Sequence, residues 1–273
     1  MMNERTRAKT LHSTKHQPRK RFGQNFLSDQ TVVDSIVAAI GPSATDKLIE
    51  IGPGMGVLTE PLLKRCPTLI AVEIDRDLAE VLQERFASYS GFSLHRGDAL
   101  RTDFAALGSG QPMRIVGNLP YNISTPLMFH LLTYSEQIID MHFMLQKEVV
   151  DRLTAHPGSK LYGRLSVMMQ YQCKVQALLA VPSSAFTPSP KVASALVRLA
   201  PHTTRPHTAR DPALFSRLVN TCFQQRRKTL RNSIKGLIQT GATMDGLDID
   251  LTTRPEMLSV GDFVALSNQL STR

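Results

Sequence analysis

The sequence predicts a doubly wound α/β fold with a mostly parallel sheet, followed by a small all-helical domain. Three observations carry that reading. Short apolar runs such as Leu48–Ile51, Leu69–Val72 and Ile115–Gly117 alternate with segments of helical period over the first two-thirds of the chain. The first of these runs leads directly into a glycine turn, Gly52-Pro53-Gly54-Met55-Gly56. Beyond the Pro-containing stretch 201–206 the strand pattern stops and only amphipathic segments remain.

The elements follow in order. Ser28-Asp29 caps a helix whose apolar positions Val32, Val33, Ile36, Val37 and Ile40 keep helical spacing, and Gly41-Pro42 ends it. Strands at 48–51, 69–72, 92–95 and 115–117 come next, with helices near 57–65, 75–87 and 124–133. Pro61 falls near the start of its helix, where a missing N–H costs little. Strand 139–145, helix 146–154, loop 156–160, helix 163–171, strand 173–180, the Pro-rich loop 182–190 and strand 193–199 complete the unit. The tight return before the last strand makes that strand antiparallel to its neighbours. Residues 1–18 are read as a basic, disordered tail, 19–203 as the α/β domain and 207–273 as the helical one.

In the helical domain, Asp211-Pro212 opens a helix with Leu214, Phe215, Leu218, Val219 and Cys222 on one face. The expected next helix puts Arg227, Arg231 and Lys235 on a common stripe opposite Leu230, Ile234 and Leu237. Thr253–Glu256 and Ser259–Asp262 both have the spacing of a capping box.

Charge is distributed unevenly over the 273 residues. Residues 1–21 hold seven Lys/Arg against one acid and residues 207–273 nine against six, while 22–206 balance, so the net +9 lies outside residues 22–206. Basic ends flanking a neutral unit suit a chain that grips a polyanion such as RNA. Cys66, Cys173 and Cys222 have neither disulfide nor metal spacing, which points to a reducing cytosol and no metal site. No run of eighteen apolar residues is present, so no membrane span is expected. The acid-poor start would suit a mitochondrial transit peptide, but it lacks a convincing amphipathic helix.

The motifs give the chemistry. A dinucleotide fingerprint needs glycine at position 57, where this chain has Val57. The remaining G-x-G-x-G, with Gly52 and Gly54 and without Lys or Arg, suits a cofactor lacking a pyrophosphate. Glu73 ends the next strand at the distance where an acid takes ribose hydroxyls. Asp98, before Ala99 at the end of the following strand, is placed to accept from an adenine amino group. S-adenosylmethionine fits this set, having one adenosine and no phosphate. Asn118-Leu119-Pro120-Tyr121 then puts an amide, two carbonyls and an aromatic ring at the carboxyl end of a buried strand. An exocyclic amino group becomes nucleophilic when acceptors draw its lone pair out of conjugation with the ring. The Asn118 oxygen and the Leu119 or Pro120 carbonyl supply acceptors, and Tyr121 a stacking platform.

Taken together, Gln24-Asn25-Phe26-Leu27, Glu50-x-Gly52-x-Gly54-x-Gly56, Gly97-Asp98-Ala99 and Asn118-Leu119-Pro120-Tyr121 resemble the rRNA adenine N6,N6-dimethyltransferase family. Phe186–Val192 resembles its post-catalytic loop, and Phe223–Arg231 the carboxyl-terminal segment of its bacterial small-subunit branch. The resemblance runs from about residue 19 to 270. It implies a seven-stranded, Rossmann-like class I methyltransferase sheet and dimethylation of two adjacent adenosines in the 3′-terminal hairpin loop of small-subunit rRNA. That reaction would occur in the cytoplasm, in an assembling 30S particle, with the enzyme a monomer. It also places Asn25 and Leu27 over the cofactor. Phe186 is the expected second platform for the base, and Lys20, Arg21, Arg226, Arg227, Lys228 and Arg231 the expected RNA contacts. Three other readings remain. A large-subunit rRNA methyltransferase conferring antibiotic resistance is opposed by the segment Gln225–Thr229, and a non-catalytic assembly factor or mitochondrial transcription-factor relative by the intact glycines and Asn118 turn. A nicotinamide oxidoreductase is opposed by Val57.

Overall fold

The computed structural model describes residues 25–237 and 246–271. The basic tail and the expected RNA contacts Lys20 and Arg21 lie outside the described residues. The strands are β1 (Phe26–Leu27), β2 (Lys47–Ile51), β3 (Leu69–Glu73), β4 (Phe92–Arg96), β5 (Met113–Asn118), β6 (Ile138–Gln146), β7 (Cys173–Val181), β8 (Phe186–Thr187) and β9 (Ser194–Pro201). The helices are α1 (Gln30–Ile40), α2 (Thr59–Leu63), α3 (Arg76–Arg85), α4 (Phe104–Gly108), α5 (Ser124–Leu132), α6 (Lys147–Leu153), α7 (Arg164–Gln172), α8 (Pro212–Gln224), α9 (Leu230–Ile234) and α10 (Val260–Leu270).

The main sheet has seven strands in the order β4-β3-β2-β5-β6-β9-β7. β2 to β6 pair in parallel, and β9 is antiparallel to both its neighbours, as expected; it inserts between β6 and the edge strand β7. The inner parallel strands β2, β3, β5 and β6 are buried on both faces, which explains their largely apolar runs, whereas the edge strand β4 is half-exposed. One apolar cluster joins Ile49, Ile115, Phe143 and Val197 to α5; the other joins Leu48, Val116 and Leu196 to α1, α2 and α3. The order of neighbours changes direction at β2 and β5, and ligands of open α/β sheets bind outside the carboxyl ends at such a point.

Local chemistry sets the helix ends. Asp29 accepts from the N–H groups of Thr31 and Val32 to cap α1, and Gly41 closes it in the left-handed conformation. At the sheet edge remote from the glycine turn, Arg114 donates to Asp140 (2.8 Å), Asp46 (2.8 Å) and the Ile40 carbonyl (2.7 Å) at the end of α1. Asp140 also accepts from Arg198 at 3.0 Å. Burial alone would raise the Asp140 pKa, but Arg114 and the other cations outweigh it and hold the carboxyl below its ordinary value.

The C-terminal helices enclose a third core, in which Phe215, Leu218, Phe263 and Leu266 meet Tyr162, Val167 and Tyr171. The helical segment is therefore seated on α7 and the loop before it. Among the described residues, no helix is long and apolar enough to cross a membrane, and no cluster of His, Cys, Asp and Glu could hold a metal ion. All three cysteines are buried and free.

Candidate active site

A cavity of about 270 Å³ opens at the carboxyl ends of β2, β3, β4 and β5. Eleven expected residues line it together: Asn25, Leu27, Gly52, Gly54, Glu73, Asp98, Ala99, Asn118, Leu119, Pro120 and Tyr121. The glycines divide the work. Gly54 has φ +59°, and a Cβ there would stand 3.1 Å from the Phe26 ring, which lies over the turn. A Cβ on Gly56 (φ +79°) would sit 2.6 Å from Phe86, so this third glycine lets the turn pack on the core instead of facing the cavity.

Three carboxylates ring the cavity. Glu73 is 5% exposed; its Oε1 accepts the Asp75 N–H at 2.9 Å, and the Gly54 and Ile74 N–H groups also lie against the carboxylate. Burial nevertheless raises its pKa. Asp98 accepts the Leu100 N–H at 3.0 Å. Glu50 is a cavity residue that the sequence reading did not count among the site residues. It is 1% exposed, lines the cavity, and its Oε2 has no hydrogen-bond partner. Burial pushes its pKa up to about 7, partly offset by the Thr59 hydroxyl and reinforced by the charge of Glu73. The available signal was an acid at the penultimate position of a buried strand before a glycine loop. Among the described residues no Lys or Arg lines the cavity, so a pyrophosphate meets no counter-charge from them. A cationic, mostly apolar adenosine derivative is matched by the orphaned Glu50 oxygen, the two further acids and the apolar wall. The residues fit S-adenosylmethionine.

The Asn118–Tyr121 turn is tightly held. Asn118 ends β5, and its Nδ2 donates to the Asn25 carbonyl at 3.0 Å, which fixes the amide so that Oδ1 remains the acceptor. The Leu119 N–H donates to the Met144 carbonyl at 3.2 Å, and the Pro120 carbonyl accepts from Ile123 at 3.2 Å. The Tyr121 hydroxyl shares a 2.9 Å hydrogen bond with Ser194, the fully buried first residue of β9, which fixes the ring plane. β1 pairs with β8, setting Leu27 opposite Phe186, while Ser28 bonds the Ala185 carbonyl through its N–H.

Two expectations need correction. Phe186 is 3% exposed, packs with Leu27 in the core beneath β1, and does not line the cavity; the β1–β8 pairing turns it inward. The basic stripe is not one helix either. α8 stops at Gln224 and α9 starts at Leu230, because the N–H groups of Leu230 and Arg231 are taken by the carbonyls of Thr253 and Leu251. Within the intervening turn Arg226 donates to Glu256 (2.6 Å) and to the Ser159 carbonyl (3.2 Å), which makes it a brace between segments. Arg227, Lys228 and Arg231 are exposed. The Ser259–Asp262 capping box forms, whereas Glu256 pairs with Arg226 and Thr253 with Asp250.

The chain is 56% identical over 256 residues to the Ribosomal RNA small subunit methyltransferase A of Saccharophagus degradans, covering 93% of this chain and 95% of that protein. It is 54% identical to the protein of that name from Pseudomonas aeruginosa, with 94% and 96% covered. Among solved structures it is similar to a dimethyladenosine transferase from Plasmodium falciparum (TM-score 0.78, 26% identity, 90% and 98% covered). The 23S rRNA methyltransferase ErmE shares the fold (TM-score 0.72, 23% identity, 90% and 100% covered). Residues 15–272 match the family described as Ribosomal RNA adenine dimethylase, and with relatives this similar over nearly their whole length, the chain belongs to that family.

Proposed function

We propose that this protein transfers methyl groups from S-adenosylmethionine to the N6 of two adjacent adenosines in the 3′-terminal hairpin loop of small-subunit rRNA, dimethylating each. The cofactor supplies an electrophilic methyl group; the chain binds, aligns and excludes water. Glu73 takes the ribose hydroxyls, Asp98 the adenine amino group and Glu50 the cationic methionyl end, while Asn25, Leu27, Gly52, Gly54 and Ala99 close around them. The observation that carries the reading is the Asn118 amide on the cavity wall, its N–H₂ committed to Asn25 and its oxygen left to accept. The Leu119 carbonyl is the natural second acceptor, because Pro120's already serves Ile123. Tyr121, locked by Ser194, stacks on the base.

Among the described residues no histidine lines the cavity, and none is needed. The arylamine nitrogen loses its proton readily once it has attacked, so the rate comes from alignment and water exclusion. A loop base is cheap to extrude because little pairing is lost. The helical segment, through exposed Arg227, Lys228 and Arg231, holds the RNA backbone, and the enzyme acts as a monomer in the cytoplasm on an assembling 30S particle. Incubation with labelled S-adenosylmethionine and either unmethylated small subunits or large subunits tests this. Label is expected in small-subunit rRNA alone; label in large-subunit rRNA alone overturns the proposal.

A further inference from the structure

A second cavity, of about 340 Å³, lies at the opposite edge of the sheet from the first. β9 spans the two edges: it starts at Ser194, bonded to Tyr121, and ends at Pro201, which pairs with Cys173 on the cavity wall. Seven steps of ~3.3 Å set these ends roughly 23 Å apart. Both parts of the chain build the walls: Gln170, Cys173 and Lys174 at the junction of α7 and β7, His202 and His207 on the linker, and Val260 at the start of α10. Hydrogen bonds pin them in place. The His202 N–H donates to the Gln172 carbonyl at 2.9 Å and its Nε2 to that of Gln170 at 3.2 Å. The Ala209 N–H donates to the Tyr171 hydroxyl at 3.2 Å, and Asn268 of α10 holds the Thr208 carbonyl (3.0 Å) and the Arg210 N–H (2.7 Å). A Cβ on Gly261 would stand 2.9 Å from the His207 ring, so glycine there lets the imidazole lie against the first turn of α10.

The lining sorts by chemistry. Lys174, His156 and His207 are exposed at the mouth, and among the described residues no Asp or Glu lines the cavity. The nearby Arg205 is engaged, donating to Gln172 at 2.9 Å and lying 5.3 Å from the centre of the Tyr171 ring, whereas Lys174 forms no ion pair with any described residue. Gln170 gives its amide protons to the Leu153 (2.9 Å) and Ala155 (2.8 Å) carbonyls, which leaves its Oε1 to accept. Val175, Pro206 and Val260 supply an apolar remainder. The volume exceeds the 270 Å³ of the cofactor cavity, so a nucleoside-sized body has room. A cationic mouth without acids selects an anion, and an ammonium beside imidazoles suits a phosphate. We propose that this cavity is a second ligand site, which takes a nucleotide-sized phosphate ester with its phosphate at Lys174 and His207 and a hydroxyl or amino group on Gln170. A ligand seated there ties the helical segment to the sheet, because α7, β7, the linker and α10 all touch it.

The test is calorimetry on the full-length protein with AMP, UMP and a tetrauridylate, in saturating S-adenosylhomocysteine to keep nucleotides out of the first cavity. Saturable one-to-one binding is expected, at least ~ten-fold tighter than that of uridine, which lacks the phosphate. Lys174→Gln should weaken it by ~ten-fold, the loss of one charge-assisted contact. Gly261→Ala should weaken it too, because the added methyl displaces the His207 ring, while alanine favours the helix it joins. An unchanged affinity for S-adenosylhomocysteine reports that each variant is folded. Bound ligand should also slow amide hydrogen exchange at Ala209 and Arg210, whose N–H groups join the linker to α7 and α10. A tetrauridylate that binds more tightly than UMP, with the same loss in the variants, supports the site and puts the phosphate on an RNA strand; one that binds no better supports it as a site for a free nucleotide. Absence of saturable binding by all three, or affinities that either variant leaves unchanged, would overturn the proposal.

Discussion

Replacing Glu50 by Gln separates the electrostatics of the cavity from its shape. Burial raises the Glu50 pKa from an ordinary 4.5 to about 7. At 1.36 kcal/mol per pKa unit, holding this carboxylate ionised in the empty cavity costs on the order of 3 kcal/mol. The folded state keeps its proton to a higher pH than the unfolded chain does, so the contribution is intact below 4.5 and is lost as pH rises through 7. His142 works in the opposite sense. Burial lowers its pKa from 6.5 to about 4, so the unfolded chain alone binds that proton between those values and stability rises with pH there. The two slopes nearly cancel in the wild-type protein, and only the difference between wild type and Glu50→Gln isolates the carboxyl. Urea denaturation without cofactor should find the two equally stable near pH 4.5 and the variant more stable by up to about 3 kcal/mol above pH 7. Cofactor binding should show the reverse preference. A cation beside Glu50 favours its ionised form, so binding releases a proton between about pH 5 and 7 and is weakened in the variant by about 1–3 kcal/mol. A stability difference that does not grow with pH, or an affinity within two-fold of wild type, would refute the role given to Glu50.

Further outcomes follow from the same geometry. Glu73→Ala should weaken S-adenosylmethionine binding by about 1–3 kcal/mol by calorimetry without unfolding the protein. Asn118→Ala should lower single-turnover methyl transfer by orders of magnitude while RNA affinity stays nearly constant, because the amide oxygen acts on the transition state. Arg227, Lys228 and Arg231 changed together to Gln should lower the RNA salt slope by up to ~0.7–0.9 per contact. Arg226→Gln should leave that slope in place, since its guanidinium is held by Glu256 and Ser159. Gly56→Ala should destabilise by about 1–3 kcal/mol in thermal denaturation, because the added methyl meets Phe86.

Much of the site was legible because it is built from local grammar repeated once per β-α unit. A buried strand ending in a glycine turn, an acid or Asn-Leu-Pro-Tyr delivers its polar group to the same sheet edge whenever the strands are parallel, and eleven expected residues line one cavity. α1 and α8 were equally readable, since Asp29 and Asp211 cap them and their apolar faces keep period. What escaped depends on partners distant in sequence. β1 and β8 are two residues each and exist only by pairing across about 160 positions, so the inward turn of Phe186 has no local signal. The late start of α9 at Leu230, which leaves Arg227 outside the second helix the sequence predicts, is imposed by the carbonyls of Leu251 and Thr253. The short helix α4, capped by Asp103, was missed because five residues are too few to show a period. Glu50 looked like an ordinary motif acid; its weight comes from complete burial and an oxygen without a partner, which only the packed sheet reveals.

The central claim is that one turn, Asn118 to Tyr121, presents adenine N6 of small-subunit rRNA to the cofactor cavity. Nucleoside mass spectrometry of unmethylated small subunits, treated with S-adenosylmethionine and either wild-type or Asn118→Ala protein, tests it most directly. The account predicts N6,N6-dimethyladenosine at two adjacent positions of the 3′-terminal hairpin loop with wild type, and almost none with the variant. Methylation of another base or another atom, or dimethyladenosine formed equally by the variant, would contradict it.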